Sequence, residues 1–88
     1  MNKSFRIDNI TINISEEVFL QAKKSCILNE DEILTVAYIK NAIRANLCKS
    51  DEDFKTFSFK NAFSSHTEKE LSEIVEKELK KDISESIF

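Results

Sequence analysis

Residues 9–15 alternate between apolar and polar side chains. The apolar positions are all β-branched, and the polar ones before Ser15 are Asn or Thr. The two sets are Ile10, Ile12 and Ile14, and Asn9, Thr11 and Asn13. A period of two is the repeat of a β-strand, because successive side chains of a strand point to opposite faces. The pattern therefore predicts a half-buried strand whose isoleucines face a core.

The alternation changes phase upstream of this strand. Phe5 and Ile7 are apolar at odd positions, and the change falls at Asp8-Asn9. Residues 1–8 are therefore either a loose arm or the first strand of a hairpin, in which Phe5 and Ile7 share a face with the first two isoleucines. We favour the arm, because Asp-Asn without glycine is a weak hairpin turn.

An apolar repeat of three to four residues follows the strand and predicts a helix over residues 16–28. Its apolar positions are Val18, Phe19, Ala22 and Cys26. Ser15 offers its hydroxyl as an N-cap, and Asn29 is the best available left-handed C-cap in a chain without glycine. We expect Cys26 to be a small buried hydrophobe.

A second helix is predicted over residues 32–47, with Asp31 or Asn29 as its cap. One arc of this helix is apolar, and it comprises Ile33, Val36, Ile39, Ala42, Ile43 and Leu47. The clearly polar stripe is narrow and consists of Lys40, Asn41 and Arg44. A helix that is apolar on most of its circumference belongs in an interior, which a second copy of so short a chain would supply.

The chain changes character after residue 49. Residues 50–53 are acidic and typical of a linker, and residues 55–60 alternate polar and aromatic side chains, which predicts an extended segment. Four aromatic residues lie close together here, namely Phe54, Phe57, Phe59 and Phe63. Thr67 and Glu70 have the spacing of a capping box and open a predicted helix over residues 67–83. Its apolar seam consists of Leu71, Ile74, Val75, Leu79 and Ile83.

Composition excludes several classes of function. Without glycine, the chain cannot contain a dinucleotide-binding or phosphate-binding glycine loop or an EF-hand. One histidine and two cysteines exclude the common zinc motifs, so we predict no metal and no cofactor. A nucleophilic pair of Cys26 and His66 is formally conceivable, but Cys26 lies in a helical apolar pattern. We therefore predict that the protein is not an enzyme, and we expect no small-molecule substrate.

Charge and hydropathy suggest a compartment and a division of the chain. Met1–Arg6 is basic but is not followed by an apolar stretch, and no apolar run is long enough for a membrane span, so we expect a cytoplasmic protein with no membrane partner. Residues 1–49 have a net charge near +1 and residues 50–88 a net charge near −4, counted over Lys, Arg, Asp and Glu. We therefore predict two regions, 1–49 and 50–88.

A strand followed by two helices within about forty residues resembles the ribbon-helix-helix family. The stretch that carries the likeness runs from Asn9 through Leu47, a little under half of the chain. The resemblance implies an α+β, mostly helical fold, in which strands from two chains pair as a ribbon that enters the DNA major groove. It implies a homodimer core of Ile10, Ile12, Ile14, Val36, Ile39, Ile43 and Leu47. It also implies that Asn9, Thr11 and Asn13 contact bases and that Lys3 and Arg6 contact phosphates of operator DNA.

Residues 50–88 resemble the toxin-neutralising tails of bacterial type II antitoxins. This likeness implies that the tail binds a basic toxin through Phe54, Phe57, Phe59, Phe63, Leu71, Ile74, Val75 and Leu79. The alternative is that these residues form part of the chain's own core. The two likenesses together imply a dimeric transcriptional repressor that neutralises a toxin and regulates its own operon.

Two other functions stay open. One is a small acidic inhibitor, phage-encoded or of the immunity type, that blocks another protein without binding DNA. The acidic run Glu30-Asp31-Glu32 favours it, because this run lies where a DNA-binding protein needs free amides for a phosphate. The other is a stand-alone plasmid or phage repressor whose tail only adds contacts within the oligomer.

Overall fold

The computed structural model describes residues 2–86, which form a β-hairpin followed by five helices. Strand β1 (Asn2–Ile7) pairs antiparallel with β2 (Ile10–Ser15), so that Phe5 lies opposite Ile12 and Ile7 lies opposite Ile10. The prediction of a loose arm is therefore wrong and its alternative, the hairpin, is confirmed. Asp8 supplies the positive φ of 55° that the two-residue turn requires, although it is not glycine. Residues 2–86 are mostly helical, and the fold is α+β.

Helix α1 (Glu16–Lys24) ends earlier than predicted. Cys26 adopts the left-handed conformation with φ 61°, and the Ile27 N–H donates to the Ala22 carbonyl at 2.9 Å while the Cys26 N–H donates to the Lys23 carbonyl at 3.1 Å. These two bonds form a Schellman ending, with Cys26 at the position that glycine usually occupies. The predictions for Asn29 as the left-handed cap and for Cys26 as a buried residue are both wrong, because Cys26 is the turn residue and is exposed.

The start of α1 also differs from expectation. Ser15 occupies the N-cap position, but its hydroxyl accepts no hydrogen bond from the helix. The first turn instead relies on Glu16 and Glu17, whose negative charges interact favourably with the helix dipole.

Helix α2 (Glu32–Leu47) has the predicted bounds. Asp31 is its cap, and one carboxylate oxygen accepts hydrogen bonds from the N–H groups of Ile33 at 2.9 Å and Leu34 at 3.4 Å. The predicted apolar arc is buried only in part. Ile39, Ala42 and Ile43 are buried, Val36 and Leu47 are half-buried, and Ile33 is 79% exposed.

Two short helices occupy the region predicted to be a linker and an extended segment, and both of those predictions are wrong. Helix α3 (Asp51–Thr56) begins at Ser50, which forms a reciprocal capping box with Asp53. Helix α4 (Phe59–Ser65) begins at Ser58, whose hydroxyl accepts from the Asn61 N–H at 3.0 Å. Each serine caps a new helix, and these two local signals outweigh the alternation of polar and aromatic residues between them.

Helix α5 (Glu68–Glu85) confirms the predicted C-terminal helix and its capping box. The Glu70 N–H donates to the Thr67 hydroxyl and the Thr67 N–H donates to the Glu70 carboxylate, both at 3.0 Å. The hydrogen bond from the Thr67 backbone N–H lowers the pKa of the Glu70 carboxyl, because it favours the ionised form.

The core forms where α5 packs against β2, α1 and α2. Its fully buried side chains come from the hairpin, from α2 and from α5, and they include Ile12, Ile14, Ile39, Ile43, Leu71, Val75 and Leu79. A single chain therefore covers the apolar face of its own hairpin. Of the two alternatives for the C-terminal helix, the structure supports the one in which it belongs to the chain's own core.

Candidate functional site

Four phenylalanines lie together on α3, α4 and the residues between them. The Phe57 and Phe59 rings meet edge to face, with centroids 4.9 Å apart, and Phe59 and Phe63 are 5.7 Å apart. These three side chains are half-buried, and Phe54 is 45% exposed. We call Phe54, Phe57, Phe59 and Phe63 the aromatic surface. Edge-to-face and tilted pairs at these separations are favourable arrangements of aromatic rings.

Two cations of α2 contact the aromatic surface. The Lys40 ammonium lies 5.4 Å from the centroid of the Phe59 ring, and the Arg44 guanidinium carbon lies 5.4 Å from that of Phe54. Contacts of this kind stabilise by about 0.5–1 kcal/mol at exposed sites. The sequence predicted the polar stripe that contains both residues, but it did not predict that phenylalanines would cover this stripe.

The helices that carry the aromatic surface contribute little to the core. Helix α3 buries none of its residues, and α4 buries only Ala62. Phe54 and Phe59 contact the cations of α2, and Phe63 packs against the core. Phe54 is the most exposed of the four phenylalanines, and the other three are half-buried.

A groove of about 530 Å³ separates the hairpin turn from α4. It is lined by Asp8, Asn9, Lys60, Phe63 and Ser64. Phe63 joins the groove to the aromatic surface. Asn9, predicted to contact bases, thus lies beside a residue predicted to contact a protein partner.

The other predicted partner-binding residues lie inside the molecule. Leu71, Val75 and Leu79 are fully buried in the core, and Ile74 is half-buried against it. They face β2, α1 and α2 of their own chain rather than solvent. In this conformation the four phenylalanines are at least partly exposed to solvent, whereas Leu71, Val75 and Leu79 are not.

The residues predicted to bind DNA divide between two faces of the hairpin. Arg6, Thr11 and Asn13 share the outward face, where the Ser4 hydroxyl donates to the Asn13 side-chain oxygen at 2.7 Å. Lys3 lies on the opposite, core-facing side, and its ammonium is 5.5 Å from the centroid of the Phe19 ring. The structure therefore brings together three of the five residues, leaves Asn9 in the turn and places Lys3 elsewhere.

The outer edge of β2 is closed by α5. The Thr11 N–H donates to the Glu68 carboxylate at 2.7 Å, and the Asn13 N–H donates to the Ser72 hydroxyl at 3.0 Å. The isoleucines predicted to form a dimer core are buried here within one chain, and β2 pairs with β1 of the same chain. Sequence reasoning missed Glu68 and Ser72, because no local pattern marks a helix residue that caps a strand nearly sixty positions away.

A second cleft, of about 210 Å³, lies between the end of α2 and the helices α3 and α4. Cys48 and His66 both line it, so the cysteine near His66 is Cys48 and not Cys26. His66 Nδ1 lies 3.1 Å from the Ala62 carbonyl oxygen, and no hydrogen bond joins His66 to Cys48 among residues 2–86.

Within residues 2–86, no group of three or more His, Cys, Asp or Glu side chains is arranged to hold a metal ion.

None of the helices described within residues 2–86 combines the length and the apolar character that a membrane span requires. Searches against protein-family models, curated proteins and solved structures find no match to this chain.

Proposed function

We propose that this chain is a small protein-binding protein that sequesters another protein through its aromatic surface. The observation that carries the proposal is the position of Phe54, Phe57, Phe59 and Phe63. Phe57, Phe59 and Phe63 form one run of ring contacts, and Phe54 lies over Arg44, one turn along α2 from the Lys40 that contacts Phe59. Helices α3 and α4 bury only Ala62. Apolar patches of this kind on a small protein are typical of sites for protein contact.

The chemistry of the patch suits a protein partner. Phenylalanine rings supply large apolar anchors, and such anchors carry much of the binding energy at protein interfaces. Lys40, Arg44 and Lys60 surround the rings and form a polar rim.

Site-specific photo-crosslinking tests this proposal. The photoreactive analogue benzoylphenylalanine replaces Phe54, which is 45% exposed, in cells that naturally carry the gene. The matched control places the same analogue at Leu20 of α1, which is 47% exposed and lies outside the patch. We expect one discrete covalent adduct from position 54 and none from position 20.

A competition experiment completes the test. Untagged wild-type protein in excess should abolish the adduct, and F54A should compete about tenfold less well, which corresponds to about 1.4 kcal/mol. Equal adducts from both positions, or no adduct from position 54, would contradict the proposal.

A second candidate function is that of a DNA-binding regulator, an antitoxin that represses its own operon, whose DNA-contacting element is the hairpin of one chain rather than a ribbon shared by two chains. One observation favours it: Arg6, Thr11 and Asn13 share the outward face of the hairpin. Within the described hairpin, only this face combines residue types that contact bases with a residue type that contacts phosphates.

A gel shift with the DNA upstream of the gene tests the second candidate. The variant R6A/T11A/N13A should lose at least tenfold in affinity, because each lost base contact costs about 1–3 kcal/mol. The control is K77A, which removes an exposed cation from α5. Unchanged binding by the triple variant, or no shift by the wild type, rules out this role for the hairpin.

A further inference from the structure

The two edges of the hairpin differ. In a hairpin with a two-residue turn, the residues that flank the turn form a hydrogen-bonded pair, and the following pairs alternate. Thr11 and Asn13 therefore direct their N–H groups away from β1, and α5 accepts both of them. By the same alternation Ser4 and Arg6, which lie opposite Asn13 and Thr11, direct their N–H and carbonyl groups away from β2.

Within residues 2–86, no group closes the edge of β1. Asn2, Ser4 and Arg6 are all exposed. Among residues 2–86, neither a backbone nor a side-chain group accepts a hydrogen bond from the N–H of Ser4 or Arg6. An edge with free N–H and carbonyl groups is a template for one more strand.

The edge of β1 is cationic on both faces. Lys3 lies on the core-facing side and Arg6 on the outward side, both are exposed, and residues 2–7 contain no Asp or Glu. The salt bridges within residues 2–86 involve neither of them, and the Glu30 carboxylate is already bound by Lys23. Arg6 is therefore available to an incoming strand, and Lys3 would exchange its contact with the Phe19 ring and its interaction with the charge of Glu30 for a carboxylate of that strand.

We propose that the edge of β1 binds an extended segment of a partner protein that carries two carboxylates three positions apart. This spacing places one carboxylate on each face of the added strand, opposite Lys3 and Arg6. Opposite charges on directly facing residues stabilise strand pairing, and the backbone of the segment bonds to Ser4 and Arg6. The inference rests on the proposed function only in taking the partner to be a protein, since it concerns a surface away from the phenylalanines.

A second copy of the chain is the less suitable occupant. Two β1 strands would bring both copies of Lys3 and Arg6 into one ribbon with no acidic residue between them. Charged residues on an edge strand, lysine in particular, are a common device that prevents pairing with identical strands. The same residues favour a strand of opposite charge.

Peptide binding to the full chain, followed by NMR of its backbone amides, tests the inference. The probe is the capped seven-residue peptide Thr-Glu-Val-Thr-Glu-Val-Thr. We expect saturable shifts of the Ser4 and Arg6 amides and slower hydrogen exchange at both. The same peptide with lysine in place of both glutamates should bind at least tenfold more weakly, and an N-methylated acidic peptide should not bind.

A charge-reversed protein supplies the matched control. K3E/R6E should prefer the lysine peptide, and its amide spectrum reports whether it is folded; the comparison of peptides on the wild type stands without it. Three results would overturn the inference. The first is that the amide resonances of Ser4 and Arg6 do not shift at millimolar peptide. The second is that both peptides bind equally to the wild type. The third is that self-association protects these amides from exchange without peptide. Crosslinking from Phe54 is a separate measurement, so either proposal can fail alone.

Discussion

Replacing Leu71 with alanine is expected to lower the free energy of unfolding by about 2–5 kcal/mol. Leu71 is 0% exposed in α5, where it belongs to the cluster that contains the hairpin isoleucines. The substitution removes buried apolar surface and leaves a cavity that the surrounding helices fill only in part. A domain of this size is stable by about 4–13 kcal/mol, so much of its stability would be lost. Urea denaturation followed by circular dichroism measures the change.

The control for this experiment is L20A, the same substitution at a side chain that is 47% exposed. It should cost less than about 1 kcal/mol, because the site keeps much of its contact with water and leaves no enclosed cavity. If L71A costs no more than L20A, then α5 does not pack on the hairpin in solution. Residues 68–85 would then be free to bind a partner, as the toxin-binding interpretation of the tail requires.

Replacing Tyr38 with phenylalanine is expected to destabilise the protein by about 1–2 kcal/mol at pH 7. The Tyr38 hydroxyl donates a hydrogen bond to the Asp82 carboxylate, and this bond joins α2 to α5. Bonds to charged acceptors are stronger than neutral ones, but Tyr38 is only half-buried, and water competes for its hydroxyl. Urea denaturation measures the difference, with K77A on the exposed face of α5 as the control.

The same contact predicts a loss of stability in alkali. Burial, followed by the bond to Asp82 and its negative charge, raises the pKa of Tyr38 above its usual value near 10. The native chain therefore keeps this proton at a pH where the unfolded chain releases it. The contribution is complete below about pH 10, and stability falls as the pH rises beyond that point, because the unfolded state then binds fewer protons.

Tyr38 is the only tyrosine of the chain, which makes the measurement direct. The absorbance of the phenolate should appear at a higher pH in the native protein than in urea. The slope of stability against pH above 10 should be smaller in Y38F than in the wild type, and this comparison cancels the titration of the lysines. Equal slopes would show that the hydroxyl is not held by Asp82.

Local signals predicted much of the fold. The alternation of Ile10, Ile12 and Ile14 located β2, and the Thr67–Glu70 capping box located the start of α5. These signals succeed because the period of a strand and the geometry of a cap act within a few residues. The same kind of signal, a serine three positions before Asp53, was present at Ser50, but the acidic run around it favoured a linker.

The predictions that failed depended on residues far apart in the chain. The hairpin forms although Asp8 must adopt a positive φ, because pairing Phe5 with Ile12 and covering both with the core outweighs a weak turn. Cys26 fitted the helical pattern, but the helix ends before it. The turn at Cys26 leads the chain into the core, where Leu28 is buried. Neither outcome is visible without the tertiary core.

The candidate site was predicted in part. The four phenylalanines stood out as apolar anchors, and three of the five residues predicted to contact DNA do share a face. The sequence could not show which apolar side chains are buried in the core and which remain at the surface. Leu71 and Phe59 have similar hydrophobic character, yet α5 has the length to span β2, α1 and α2, whereas α4 has only seven residues.

The closure of one hairpin edge by Glu68 and Ser72 has a consequence for assembly. Because β2 is capped, the sheet of each molecule can grow in one direction only, and its valency for strand addition is one. A complex built on β1 therefore terminates at a defined stoichiometry, and the open-ended stacking of strands that produces fibrils is blocked from the capped side.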